Sequence, residues 1–100
     1  MTTLLDDEQV TAALNGLTGW QRDGDTIVRT VKLPSFPAAI EAVRAVAEIA
    51  EAHNHHPDID IRWRNVTFRC STHSKGGITN LDIDLATEID RILAASASSS

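Results

Sequence analysis

From residue 58 to residue 71, apolar and polar side chains alternate almost without a break, and this run constrains the fold more than any other feature. Ile59, Ile61 and Trp63 alternate with Asp60, Arg62 and Arg64; after Asn65, Val66, Phe68 and Cys70 alternate with Thr67, Arg69 and Ser71. Successive side chains of a strand point to opposite faces, so this pattern predicts two half-buried strands, each with one wet and one dry face. Being adjacent in sequence, they are expected to pair antiparallel. Their dry face needs a cover, which the rest of the chain must supply.

Helical spacing appears three times elsewhere. Asp6 with Gln9 three residues on forms a capping-box pattern, and Val10, Ala13, Leu14 and Leu17 follow at helical intervals, so a helix is predicted over about 6–15, stopped by Asn15-Gly16. Trp20-Gln21-Arg22 reads as a short strand, Asp23-Gly24 as a hairpin turn, and 25–33 as the return strand, with Arg29 interrupting its apolar face of Ile27, Val31 and Leu33. Ser35 is a candidate cap for the longest helix, about 36–54, with Ile40, Val43, Ala47 and Ala50 as its stripe, widened by Val46 and Ile49; Pro57 stops it. Ser74-Lys75-Gly76-Gly77 reads as a loop. Thr79 can cap a last helix in which Leu81, Leu85, Ile89 and Ile92 share a face. The expected fold class is α+β, a four-stranded antiparallel sheet with three helices on one face in the order α-β-β-α-β-β-α. It forms a single domain over 1–95, followed by a flexible serine-rich tail over 96–100.

Composition narrows the function classes. With 100 residues the chain has room for one domain, and 42% hydrophobic with 23% charged residues is ordinary globular composition. A domain this small buries well under about three-quarters of its unfolded surface, so self-association would add useful burial. The net charge of −5 and the interleaving of Arg62, Arg64 and Arg69 with apolar residues argue against a nucleic-acid partner. The single cysteine, Cys70, permits no internal disulfide and reads as a small buried residue. The acidic start of the chain lacks the basic and apolar runs of a signal peptide, and no stretch reaches bilayer length. A cytoplasmic setting without a membrane partner is expected. Trp20 and Trp63 read as core or rim residues.

All four histidines, His53, His55, His56 and His73, fall within 21 residues. Three sit where the long helix ends, and His73 ends the fourth strand, which returns beside the third. The two groups can therefore meet at one end of the sheet, as acid/base chemistry near neutral pH requires. Glu51, four residues before His55, is expected on the same helix face, where its carboxylate and the negative end of the helix would favour a protonated imidazole able to donate to a leaving hydroxyl. His53 is rotated away from that face. The blander alternative is that these histidines only satisfy terminal carbonyls, and that Asp82 only caps the last helix. A metal site is not expected, because there is no second cysteine, no HExxH and no regular zinc spacing.

The segment Glu51-Ala52-His53-Asn54-His55-His56-Pro57 resembles the central motif of the pterin-4a-carbinolamine dehydratase family: an acidic or polar residue, three variable positions, then His-His-Pro. Trp63 fills the family's later aromatic position. Ser71-Thr72-His73, the glycines Gly76-Gly77, Asp82, Leu85-Ala86 and Ile89-Asp90 follow at the family spacing, and Gly19-Trp20 precedes them. One departure is Ile59, where many members carry an aromatic. The resemblance implies a cofactor-free hydro-lyase that dehydrates a 4a-hydroxytetrahydropterin to a quinonoid dihydropterin in tetrahydrobiopterin recycling, working as a homodimer or homotetramer. It places His55, His56 and His73 in the site, with His55 and His73 as the acid/base pair and His56 orienting the pterin. Glu51 and Asp82 would tune them, and Asn54, Ser71, Thr72 and Ser74 would line the pterin edge. Which histidine is the acid and which the base is left open. A non-catalytic pterin-binding or dimerisation module, coactivator-like, is the alternative.

Overall fold

A computed structural model describes residues 3–98 of the chain. The elements run α1 (Asp7–Asn15), β1 (Gln21–Asp23), β2 (Thr26–Lys32), α2 (Phe36–His53), β3 (Asp58–Arg62), β4 (Asn65–Cys70) and α3 (Asn80–Ser98), with one 3-10 turn at His73–Lys75. The four strands form one antiparallel sheet in the order β1-β2-β4-β3. This is the expected α+β class with three helices and a four-stranded sheet.

Register follows the alternation. Ile27 lies opposite Cys70, Arg29 opposite Phe68, and Val31 opposite Val66, while Ile59 and Ile61 face Phe68 and Val66 from the other side. That row turns inward, with Ile61 on the edge strand still exposed. The intervening row, with Thr30 and Thr67 joined hydroxyl to hydroxyl at 2.9 Å, turns outward. A one-residue slip would exchange the two faces, so burial of Phe68, Ile27 and Val66 pins the register. Burying a side chain of this kind is worth about 1.5–3 kcal/mol. Val10 of α1, Val46 of α2 and Ile89 of α3 complete the core.

Arg29 sits on the inward row without breaking it, because Asp90 of α3 reaches it at 2.6 Å and the same carboxylate oxygen accepts the Trp20 Nε1–H at 2.8 Å. The predicted caps are present: Asp6 and Gln9 exchange both capping-box bonds, and Ser35 accepts from the Ala38 N–H.

Three boundaries differ from the sequence reading. β3 ends at Arg62, and Trp63 is not a strand residue. Trp63 and Arg64 form the two-residue turn, Trp63 takes a positive φ of 57°, and the Arg64 guanidinium stacks on its ring at 4.5 Å. Two-residue hairpins matched to the sheet twist need positive φ, and here a tryptophan supplies it. The loop after β4 holds a 3-10 turn. Where a fraying tail is expected from residue 96, the backbone continues as helix through Ser98, in keeping with the high helix propensity of its alanines. Residues 99 and 100 of that expected tail lie outside the described residues. Among the described residues no helix is long and apolar enough to cross a membrane.

Candidate active site

The site is built where α2 stops. Asn54 takes the left-handed conformation, φ 49° and ψ 42°, its N–H bonding to the Glu51 carbonyl, while the His55 N–H reaches back to the Ala50 carbonyl at 3.1 Å. This pair of backbone bonds is a Schellman closure. It satisfies the helix-end carbonyls with main-chain donors, so the imidazoles are not needed there. The helix therefore ends at His53, and the chain turns away before His55.

That turn overturns the expected pairing. Glu51 and His55 do not share a helix face, because His55 is no longer helical. The Glu51 carboxylate meets His56 Nε2 instead, in an exposed pair whose side chains are 77% and 54% accessible. Such a pair contributes little to stability. His55 Nε2 lies 2.6 Å from Asp82 Oδ1, with the imidazole 11% exposed and the aspartate fully buried.

Asp82 both caps the last helix and meets His55. Its Oδ2 accepts the Thr79 N–H at 2.9 Å, the bond of a capping residue in the first turn of α3. The same oxygen accepts the Thr72 hydroxyl at 2.8 Å. Its Oδ1 remains for His55. Three donors fit an ionised carboxylate, which only accepts. On such a carboxylate a neutral His55 places its hydrogen on Nε2 and its lone pair on Nδ1.

The remaining expected residues are distributed as follows. His73 is exposed at the start of the 3-10 turn, next to Thr72 in the chain, and its side chain makes no hydrogen bond or ion pair among the described residues. His53 is exposed as the last residue of α2. Ser71 is half-buried and Ser74 exposed. Thr72 is 5% exposed, and its hydroxyl is directed to Asp82, not to solvent. Asn54 acts through its backbone as the helix closure. Cys70, below the site, is fully buried; burial first, then the charges of Asp82 and Asp58, pushes its thiol well above the ordinary range, so it is no nucleophile.

His55 presents only a small part of its imidazole to solvent at this patch. Two surface clefts lie away from it, one lined by Val31, Lys32, Leu33, Pro34, Arg64 and Leu93, the other by α1 residues including Asp7 and Thr11. Sequence reasoning treated Thr79 only as a cap and missed its hydroxyl. The Thr79-x-x-Asp82 spacing was the available signal.

Comparison with known proteins identifies the family. Residues 3–92 match the family model described as pterin 4 alpha carbinolamine dehydratase. A protein of Nocardia farcinica, provisionally named a pterin-4-alpha-carbinolamine dehydratase, is 62% identical over 91 residues, 91% of this chain and 96% of its own length. A Mycobacterium tuberculosis protein with the same provisional name is 59% identical over 92 residues, 92% of this chain and 98% of its own. A crystal structure from Brucella melitensis, described as a transcriptional coactivator/pterin dehydratase, superposes with a TM-score of 0.87 at 32% identity, covering 90% of this chain and 98% of that one.

Proposed function

The chain belongs to the pterin 4 alpha carbinolamine dehydratase family, an enzyme family of hydro-lyases, and from that membership we propose that it dehydrates 4a-hydroxytetrahydropterin by histidine acid/base catalysis. The observation that carries the reading is the His55–Asp82 hydrogen bond, which leaves His55 Nδ1 free to accept a proton. His55 is the base that takes the proton from the ring nitrogen beside the carbinolamine carbon. His73 is the acid that protonates the 4a-hydroxyl, which departs as water. The lone pair left on nitrogen becomes the new C=N bond, and the product is the quinonoid dihydropterin. The two protons balance, so the reaction needs no external redox partner.

His56, steadied by Glu51, orients the pterin, with Ser71, Ser74 and Asn54 along its edge. Asp82 acts through His55 by fixing its tautomer, as carboxylates behind catalytic imidazoles do. The physiological setting is tetrahydrobiopterin recycling in the cytoplasm. The working form is a homodimer or homotetramer, a reading supported by the exposed Phe36 and Ile40 of α2 and by the exposed Ile61 and Trp63.

The test is stopped-flow dehydration of freshly generated 4a-carbinolamine. Wild-type protein accelerates the step, and His73→Ala lowers it by about 10²–10⁴ while shifting stability by about 1 kcal/mol or less. His53→Ala is silent in both. Equal losses at His53 and His73 would remove the assignment. The coactivator half of the Brucella neighbour's description points to a second reading, a pterin-binding or dimerisation module without turnover. Absence of acceleration by wild-type protein would leave that reading in place.

A further inference from the structure

We propose that Thr79 is a positioning residue for the reaction: through the buried hydroxyl of Thr72 it holds Asp82 in the orientation that keeps the hydrogen of His55 on Nε2. This rests on the reading of His55 as the base.

The hydrogen bonds have a single consistent direction. Thr72 has one hydroxyl hydrogen, and it goes to Asp82 Oδ2 at 2.8 Å. The 2.7 Å contact between Thr72 Oγ1 and Thr79 Oγ1 therefore takes its hydrogen from Thr79. Thr79 Oγ1 in turn accepts the Leu81 N–H at 3.2 Å. The chain of donors runs from the Leu81 amide through Thr79 and Thr72 to the Asp82 carboxylate, whose other oxygen meets His55. Each donor that also accepts is polarised and becomes a stronger donor.

Capping does not account for this. A capping threonine needs only its oxygen, as acceptor for an amide of the first turn. Its hydrogen is free to point anywhere, and here it points into a site where Thr79 and Asp82 are 0% exposed and Thr72 is 5% exposed. The backbone holds the two threonines face to face. The Thr72 N–H bonds the Gly77 carbonyl at 2.8 Å, closing the loop that carries His73, and the Leu5 N–H bonds the Ile78 carbonyl at 2.9 Å. Backbone bonds thus fasten the N-terminal segment and the His73 loop on either side of this hydroxyl pair. Without the Thr79 hydrogen, Thr72 is a weaker and less directed donor. The carboxylate can then turn, and the tautomer of His55 is no longer fixed.

The experiment compares wild type, Thr79→Val and Thr79→Ser by steady-state dehydration of the 4a-carbinolamine and by 15N spectra of the neutral histidine rings, with the His55 signals identified by their loss in His55→Gln. Thr79→Val is expected to lower kcat about 10-fold with KM changed less than about twofold, and to move the His55 15N pattern away from the Nε2–H form. Thr79→Ser, which keeps the hydroxyl, restores both. Thr72→Val breaks the same chain one link later with the Leu81 cap intact. It gives the same two changes and serves if Thr79→Val does not fold. A wild-type kcat and 15N pattern in either valine variant, or a kcat loss with the pattern unchanged, overturns the proposal. Should wild-type protein show no turnover, the dehydratase reading fails, while the 15N comparison still decides what Thr79 does.

Discussion

Replacing Asp82 by asparagine keeps the side chain's shape and removes its charge, which makes it the sharpest probe of the site. Asp82 is fully buried and receives hydrogen bonds of 2.6, 2.8 and 2.9 Å from His55, Thr72 and Thr79. An asparagine has one accepting and one donating end. Two donors converge on the Oδ2 side, so the carbonyl settles there and the amide NH₂ faces His55 Nε2. Two donors cannot share that contact, and the imidazole moves its hydrogen to Nδ1. The atom proposed to accept the substrate's proton is then already occupied. Loss of a general base is worth about 10²–10⁴ in rate, and kcat should fall by that amount. Stability should fall less: exchanging charge-assisted for neutral hydrogen bonds costs about 1–2 kcal/mol. At this chain length that lowers Tm by about 4–8 °C per kcal/mol, leaving a folded protein at 25 °C. Stopped-flow dehydration and a thermal melt on the same sample measure both quantities. If Asp82→Asn melts early but keeps kcat within about threefold of wild type, Asp82 is a helix cap and nothing more, and the tautomer reasoning is wrong.

Three further outcomes follow from other parts of the structure. Asn54→Ala should cost about 1 kcal/mol in urea unfolding, because alanine tolerates the left-handed conformation poorly, whereas Asn54→Gly should cost almost nothing. Cys70 holds its proton in the folded state above the ordinary thiol value of 9.0, while the unfolded chain gives it up, so the unfolded state binds fewer protons and stability falls as pH rises past that value. The slope should approach about 1.4 kcal/mol per pH unit and be absent from Cys70→Ala, as denaturant titrations across that range will show. Asp90→Ala strands both Arg29 and Trp20 and should cost about 2 kcal/mol; in a Trp63→Phe background, Trp20 emission should shift to the red while the protein is still folded.

The sheet was legible because its signal is local and redundant. The alternation through Ile59, Ile61, Val66, Phe68 and Cys70 fixes which residues face inward, and one hairpin fixes their register. Arg29 read as a blemish because its partner, Asp90, lies 61 residues away and no local pattern points to it. Glu51 was paired with the wrong histidine for the same kind of reason. The i, i+4 rule holds only inside a helix, and the left-handed turn at Asn54 ends the helix between them. Asp82 carried two sequence signals, a capping position and a family position. The structure has both on one carboxylate, one oxygen for each, a sharing that spacing alone does not reveal.

The strand order has a consequence for how the chain reaches its working state. β1 with β2 and β3 with β4 are hairpins closed by two-residue turns, which form in about 1–10 μs. The central pairing of β2 with β4, from Ile27 opposite Cys70 to Lys32 opposite Asn65, must close a loop that contains all of α2. That closure costs entropy before any contact repays it, so zipping the middle of the sheet is the slow event. The Asp82–His55 contact joins α3 to the end of α2 across 27 residues, so it too is a long-range closure. During refolding, helical circular dichroism should return first and turnover last, making the appearance of activity a clock for the final assembly step.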